Sequence, residues 1–409
     1  MSDAAVTPIT KAHDVAYVRF CAPDLDLIEQ FVRDFGLVVV HRDENILISR
    51  GLMAAPFVHV VHRGPAKFVG YAFKMNDEAD LHALADAVPG CSPVHDIGGV
   101  EGELGGGKRV HFIEPNSGFV LEAVHGQHAE ALEPARERLR YNHAGKYERE
   151  GILQDVANNR LPNVADPGPP EIMRLGHVVF TMPFGPHLEF LRFLSNTFGM
   201  VKSDGVELNV PPGAEDKFPP PLLEAFKRHD SNLMAQFLRM DRGAAFTDHH
   251  STLVLAIMDP RAIPPGSDTI NSQLSHCAFE VFSIDDVLRG HDSLRAKQKE
   301  GQRYSLAWGV GRHVYGSQVY DYWHDPYGHV HEHWCDGDRV DVSYGPNVLD
   351  FSVLGPNGGN QWGPTVEESS VKNLDGPQCA PFFKELPEEI QASLITRDVA
   401  DIQHIIDSI

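Results

Sequence analysis

The chain predicts an α+β fold of four strand–helix–strands units arranged as two pairs, and three observations carry that prediction. A Phe-Gly-aliphatic ending closes a helix-like run twice, at Phe35-Gly36-Leu37 and at Phe198-Gly199-Met200. A strand histidine precedes each ending at nearly the same distance: His13 lies 22 residues before Phe35, and His177 lies 21 residues before Phe198. Finally, Glu114-Pro115-Asn116-Ser117-Gly118 followed by Glu122 resembles Asp325-Pro326-Tyr327-Gly328 followed by Glu332. Recurrence of this kind marks a duplicated supersecondary unit.

Residues 13–20 (HDVAYVRF) read as a strand. Pro23-Asp24 opens a helix with Leu25, Ile28, Val32 and Phe35 on one face, and Gly36 stands where a left-handed cap would. Strand-like runs follow around 37–41 and 57–62. A second unit begins with a strand at 66–75, continues as a helix over 77–87, and ends on the strand pair HFIEPNSGFVLEAVHG. Residues 126–171 break the pattern. HAEALEPARERL is helix-like and NNRLPNVADPGPPE is rich in turn formers, so this segment reads as a linker between a first domain (1–125) and a second (172–340).

The second domain repeats the scheme. RLGHVVFTM is a strand, and PHLEFLRFLSNTFGM is a helix with Leu188, Leu191, Leu194 and Phe198 near one face. Residues 211–230, with five prolines, read as a surface insertion. LSHCAFEV is a strand, SIDDVLRGHDSL is a helix with Ser283 as its cap, and the unit closes on DPYGHVHEHW. Residues 341–409 form a C-terminal extension, rich in Pro and Gly and then amphipathic, that would cap the domain or mediate assembly.

The 409 residues carry a net charge of −22, which argues against nucleic acid or an anionic membrane as partner. No apolar run is long enough to span a bilayer, and the N-terminus shows no secretory pattern. The five cysteines are odd in number and widely spaced, without a CxxC, as expected of reduced thiols in a cytoplasmic protein.

The most informative stretch is Gly311–Trp334, GRHVYGSQVYDYWHDPYGHVHEHW. Strand alternation puts Val330, Glu332 and Trp334 on one face and His329, His331 and His333 on the other. A carboxylate between Val and Trp is costly to bury unless it meets a cation, and a metal ion would serve. The three alternate histidines could themselves bind metal, but such a row reads more readily as a solvated face. Elsewhere in the second domain, His177 and His276 each lie in the first strand of a unit, and Glu332 lies in a last strand. Two imidazoles and one carboxylate, leaving three coordination positions open, suit non-haem Fe(II), and Mn(II) equally. In the first domain, His13 and Glu122 match His177 and Glu332, but the position matching His276 falls near Gly70. That half is expected to bind no catalytic metal.

Gly311-Arg312-His313, Tyr322, Asp325-Pro326, Gly328 and Glu332 together resemble the signature of type I extradiol (ring-cleaving) dioxygenases of the vicinal oxygen chelate superfamily, the glyoxalase and bleomycin-resistance fold. One departure is Asp321, where the family usually has an apolar side chain. The resemblance covers roughly residues 13–335. It implies four βαβββ modules paired into two open, barrel-like domains, with His177, His276 and Glu332 as metal ligands. It also implies His250 as acid and base, with His313 and Tyr322 hydrogen-bonding oxygen and substrate. His249 and His250 are adjacent on an apolar run, so alternation does not say which points inward. The implied activity is O2-dependent cleavage of a catechol-type aromatic diol in aromatic compound catabolism, by a cytoplasmic homo-oligomer. Histidine suits the acid–base role because its unperturbed pKa of about 6.5 lets it take a proton and later return it. Two alternatives stand beside this: a metal-dependent isomerase, lyase or thiol transferase of the glyoxalase type, and a non-catalytic ligand-sequestering member of the same fold.

Overall fold

A computed structural model describes residues 7–409 except 99–102, 137, 139–140, 147–153, 155–156, 158–167, 258–270, 355–358, 366–373 and 397. The first module is β1 (Ala12–Ala22), α1 (Leu25–Phe35), β2 (Val38–Arg42), β3 (Ile46–Arg50) and β4 (His59–Arg63). The second is β5 (Lys67–Met75), α2 (Glu78–Ala87), β6 (His95–Asp96), β7 (Lys108–Ile113) and β8 (Val120–His125). The third runs β9 (Ile172–Met182), α3 (Pro186–Phe198), β10 (Val201–Glu207), α4 (Pro220–His229), β11 (Leu233–Arg239), β12 (Thr247–Asp248) and β13 (Thr252–Ala256). The fourth is β14 (Gln273–Val281), α5 (Ile284–Lys299), β15 (Ser305–His313), β16 (Val319–His324) and β17 (Val330–Cys335). Three short strands follow: β18 (Arg339–Val340), β19 (Asn347–Asp350) and β20 (Asn360–Trp362).

These α+β modules pair as expected. The first two form an eight-stranded open sheet, β2-β3-β4-β1-β5-β8-β7-β6, and the last two form a ten-stranded one, β19-β10-β11-β13-β9-β14-β17-β16-β15-β20. The duplication extends to strand length. Strands β1 and β9 have 11 residues each, β5 and β14 nine each, and β8 and β17 six each.

Local chemistry explains the boundaries. The Asp24 carboxylate accepts from the Asp26 and Leu27 amides and starts α1. Gly36 ends it at φ 104°, a left-handed conformation, and a Cβ there would lie 2.3 Å from the Pro170 carbonyl oxygen, so glycine is required twice over. At the turn into β17, Asp325 Oδ1 accepts from the amides of Tyr327 (2.8 Å) and His329 (2.9 Å), and Gly328 takes φ 90°. Ser283 sits at the cap position of α5, but its hydroxyl bonds the Asp286 carboxylate at 3.0 Å instead of a helix amide.

Several expectations change. The start of the linker is not helical among the described residues, and most of 147–167 lies outside them. The insertion at 211–230 contains α4, whose Leu222 and Phe226 pack beside Phe184, Met234 and Ala256. His329, His331 and His333 are buried, not solvated. Their face of β17 lies against α1 of the first half: His331 meets Phe31 and Phe35, His333 stacks on Phe35 at 3.9 Å, and its Nε2 donates to the Phe35 carbonyl (2.8 Å). One apolar core accordingly runs through both halves. The extension caps both: Leu374 joins Trp308, Tyr322 and Val330, while Ile402, Ile405 and Ile409 enter the core beside Tyr17 and Ile48. Among the described residues no helix is long and apolar enough to cross a membrane, and all five cysteines are free thiols.

Candidate metal centre

Sheet register brings together three residues that lie far apart in the chain. Ala278 on β14 is paired with His177 of antiparallel β9 on one side and with Glu332 of parallel β17 on the other. His276 lies two residues before Ala278 on the same face. The outcome is His177 Nε2 at 3.1 Å and His276 Nε2 at 3.3 Å from Glu332 Oε2, with one ligand atom from each residue inside a span of 4.8 Å. All three are buried; Glu332 is 0% exposed. Neither Glu332 oxygen nor His177 Nδ1 makes a directed hydrogen bond. A fully buried carboxylate with both oxygens orphaned, faced by two imidazole nitrogens, is an expensive arrangement without a cation and a natural one with it. The donor set therefore fits a divalent metal of the Fe(II)/Mn(II) kind. Burial alone would raise the Glu332 pKa, but His177 and His276 beside it pull it far below the carboxylate range.

Three further residues predicted from sequence surround this cluster. The His250 ring lies 4.3 Å from that of His177, and Tyr322 packs 4.9 Å from His276. His313 Nε2 is 2.8 Å from the Tyr322 hydroxyl. Tyr322 is also the cross-strand neighbour of Glu332. Burial pushes His250 well below its ordinary pKa, lowers His313 to about 4, and raises the Tyr322 phenol. The structure separates the two adjacent histidines. They precede β13 instead of lying in it; His250 turns to the cluster, while His249 turns away, its Nε2 2.6 Å from Asp204 Oδ2. Asp204, on β10, went unnoticed in the sequence. An acid between Ser203 and Gly205 carries no local signal of a partner 45 residues away.

Asp321, the departure from the family pattern, is buried but satisfied. Trp323 Nε1 donates to it at 2.6 Å, and His291 Nδ1 of α5 lies 3.0 Å away.

The first half shows what became of the duplicate. Strands of equal length place Tyr17, not His13, at the position of His177; His13 sits at the strand's start beside Asn76 and Arg242. Gly70 does correspond to His276, and a Cβ there would lie 1.7 Å from the Val120 carbonyl oxygen. Glu122 matches Glu332, but its carboxylate is fully partnered. Arg19 Nε and Nη2 donate to it at 2.8 and 2.9 Å, Arg109 Nη1 lies at 3.2 Å, and the Tyr17 hydroxyl donates at 2.6 Å. Glu103 completes the buried cluster.

The fold recurs in known proteins. The chain overlays the Mn(II)-bound glyoxalase from Novosphingobium aromaticivorans with a TM-score of 0.61, at 20% identity, covering 91% of this chain and 97% of that one. It overlays an extradiol ring-cleaving dioxygenase from B. fuscum with a TM-score of 0.60, at 18% identity, covering 88% and 81%. The chain shares its fold with both of these proteins. In sequence, the chain is 24% identical over 382 residues to metapyrocatechase 2 of Cupriavidus necator, covering 91% of this chain and 95% of the relative. No family model matches. Within this fold, the three-residue centre is a site that could hold a metal ion.

Proposed function

We propose that the protein is an extradiol dioxygenase that cleaves a catechol-type aromatic ring with O2 at a non-haem Fe(II) centre, with Mn(II) as the other candidate ion, in aromatic compound catabolism. The observation that carries this reading is the buried His177–His276–Glu332 cluster with His250, His313 and Tyr322 around it. The likeness to metapyrocatechase 2 over nearly the whole chain supports it. In this reading His177, His276 and Glu332 hold the metal. The ion supplies Lewis acidity and a common template for diol and O2.

The protein's own residues do the rest. His250, kept neutral by burial, accepts a proton from the diol hydroxyl and later returns it. Tyr322 and His313, joined at 2.8 Å, would offer a hydrogen-bond donor to the substrate and O2. Trp308, which stacks on Tyr322 with ring centroids 5.6 Å apart, and Leu374 give that side of the site an apolar surrounding. Residues 172–340 form the catalytic domain, 1–125 a non-catalytic one joined to it by 126–171, and 341–409 an extension closing both. Five free thiols favour a cytoplasmic enzyme, and the same reading makes it a homo-oligomer.

The test is anaerobic purification, iron loading and assay with a panel of catechols under O2. A coloured ring-fission product is expected, and its absence at full metal occupancy overturns the reading. One observation favours a second reading, a metal-dependent enzyme of the glyoxalase type: the overlay on the Mn(II)-bound glyoxalase, with 97% of that chain covered. Turnover of a substrate under strict exclusion of O2 would decide for it.

A further inference from the structure

We propose that Trp308, Tyr320 and Asn360 form a specificity subsite for a hydroxyl group carried on the diol's ring. The preferred substrate is then a catechol with a neutral, hydroxylated substituent, favoured over one with an alkyl or a carboxylate substituent. This rests on the diol-cleaving reading above and names its substrate class.

Three buried polar atoms carry the inference. Trp308 is 4% exposed, Tyr320 0% and Asn360 6%. Trp308 Nε1, Tyr320 Oη and Asn360 Oδ1 have no hydrogen-bond partner among the described residues. Each such atom is costly to keep from water, and three on neighbouring side chains call for a common partner. Tyr320 joins the other two. Its ring lies 4.5 Å from that of Trp308, and burial raises its phenol pKa while Asn360 beside it opposes the rise. Strands β15, β16 and β20 supply one residue each. Gly311 on β15 pairs with Tyr320 on β16, and a Cβ at Gly311 would lie 2.4 Å from Tyr320 Oη, so glycine makes room for that hydroxyl. Strand β20, from the C-terminal extension, pairs Asn360 with His313. Asn360 Nδ2 donates to the Pro364 carbonyl at 3.2 Å, which leaves Oδ1 as the free end of the amide. The Tyr320 ring stacks on His313 at 4.1 Å and lies 5.1 Å from Tyr322, and the Trp308 ring lies 5.4 and 5.6 Å from the same two. The subsite therefore stands one ring beyond the His313–Tyr322 pair.

The donor inventory selects the ligand group. An indole N–H only donates, an amide oxygen only accepts, and a phenol does either. A hydroxyl meets this set with a single oxygen: it accepts from Trp308 Nε1 and donates to Asn360 Oδ1, and Tyr320 takes whichever role remains. A methyl group satisfies none of the three atoms. A carboxylate only accepts, so it leaves Asn360 Oδ1 unmet. A site built to bond a hydroxyl discriminates against the analogue that lacks it, because its own buried polar groups are then left unpaired.

The experiment is titration calorimetry of the Fe(II)-loaded full chain under strict exclusion of O2. The ligands are catechol and its methyl, hydroxymethyl and carboxylate derivatives, substituted either next to the diol or one position further round the ring. One neutral hydrogen bond is worth about three- to tenfold in affinity. With two such bonds, the hydroxymethyl compound of one series should bind about 10- to 100-fold tighter than its methyl counterpart, and tighter than the carboxylate. Asn360→Leu should lower that hydroxymethyl-to-methyl ratio about three- to tenfold. Should Asn360→Leu not fold, Tyr320→Phe and Trp308→Phe each keep an aromatic ring and should lower the ratio in the same way. A residue acting only on the fold would move all ligands together and leave the ratio where it was. A ratio within about threefold of one in both series overturns the proposal, as does a ratio unchanged in all the variants that fold, or a carboxylate that binds tighter than the hydroxymethyl compound. Catechol binding without preference sinks this inference alone. Failure of every diol to bind sinks the proposed function and this inference with it. Because the readout needs no turnover, a clear preference in a protein that cleaves none of these diols would sink the dioxygenase reading and leave the subsite standing.

Discussion

Arginine 19 offers the sharpest test of how the two halves diverged. Its guanidinium is 0% exposed and donates to Glu122 at 2.8 and 2.9 Å and to Glu103 at 2.7 Å, while His62 Nε2 lies 2.7 Å from its third nitrogen. Replacing it by Met keeps the side chain's length and removes the charge. Glu122 and Glu103 would then be two buried carboxylates sharing Arg109. Removing one partner of a buried ion pair costs about 3–5 kcal/mol, because the other charge stays out of water, so Arg19→Met should lower unfolding stability by that amount. The double variant Arg19→Met/Glu122→Gln should recover about 1–3 kcal/mol of it, since the two groups are in direct contact. Acid sensitivity gives an independent check. Burial would raise the Glu122 pKa, but Arg19 and Arg109 overcome this and lower it from 4.5 to about 2. A depressed carboxyl pKa contributes stability that is present above the unfolded value of 4.5 and lost as pH falls toward 2; at 1.36 kcal/mol per unit this is about 3 kcal/mol. Arg19→Met should flatten that loss. Urea unfolding followed by far-UV circular dichroism, at pH 7 and in steps down to pH 2.5, measures both effects. Stability within about 1 kcal/mol of the wild type at pH 7 would refute the reasoning. Metal content per chain should be unchanged in Arg19→Met.

Other outcomes follow from the second half. His177→Ala should retain the fold and lose stoichiometric metal, as measured by elemental analysis, while in the wild type chelation and re-addition of Fe(II) should be reversible. Tyr322→Phe removes the hydroxyl 2.8 Å from His313 Nε2 and should lower kcat about 100-fold without changing metal content, if Tyr322 acts as a donor in the reaction. His291→Ala leaves the buried Asp321 carboxylate with Trp323 Nε1 alone and should cost about 3 kcal/mol in urea unfolding. Gly176→Ala would place a Cβ 2.4 Å from the Trp334 ring, next to His177; overpacking of this kind costs about 1–3 kcal/mol and should weaken metal binding measurably.

The parts of this molecule that could be read from sequence were those where local chemistry demands one residue type. The Phe-Gly endings are such a case: Gly36 at φ 104° and Gly199 at φ 65° are needed to turn the chain out of a helix. The Asp-Pro-x-Gly turn before Glu332 is another, with Asp325 accepting two backbone amides. The convergence of His177, His276 and Glu332 was legible because the repeat placed all three on first or last strands of modules, and β14 lies between the other two. What escaped the sequence depends on which sheet face meets which neighbour. His329, His331 and His333 alternate like a solvated row, yet β1 and α1, some 300 positions earlier, cover them: Phe20 meets His329, and Phe31 and Phe35 meet His331 and His333. Distance along the chain also misled the comparison of halves, since counting back from Phe35 reaches His13, whereas strand register reaches Tyr17.

That register makes the two halves a matched pair of solutions to one electrostatic problem. Both sheets bury a glutamate at the same position of a closing strand, Glu122 and Glu332. In the first half a fixed guanidinium meets the carboxylate, Tyr17 donates to it, and Gly70 leaves no room for an imidazole. In the second half the place of Arg19 is taken by Val179, the tyrosine is His177 and the glycine is His276, so the carboxylate keeps two orphaned oxygens and two nitrogen neighbours. A covalently attached cation cannot be exchanged and adds only stability. A carboxylate left for a mobile ion costs stability until the ion arrives, which is why the same glutamate can be structural in one domain and available for chemistry in the other.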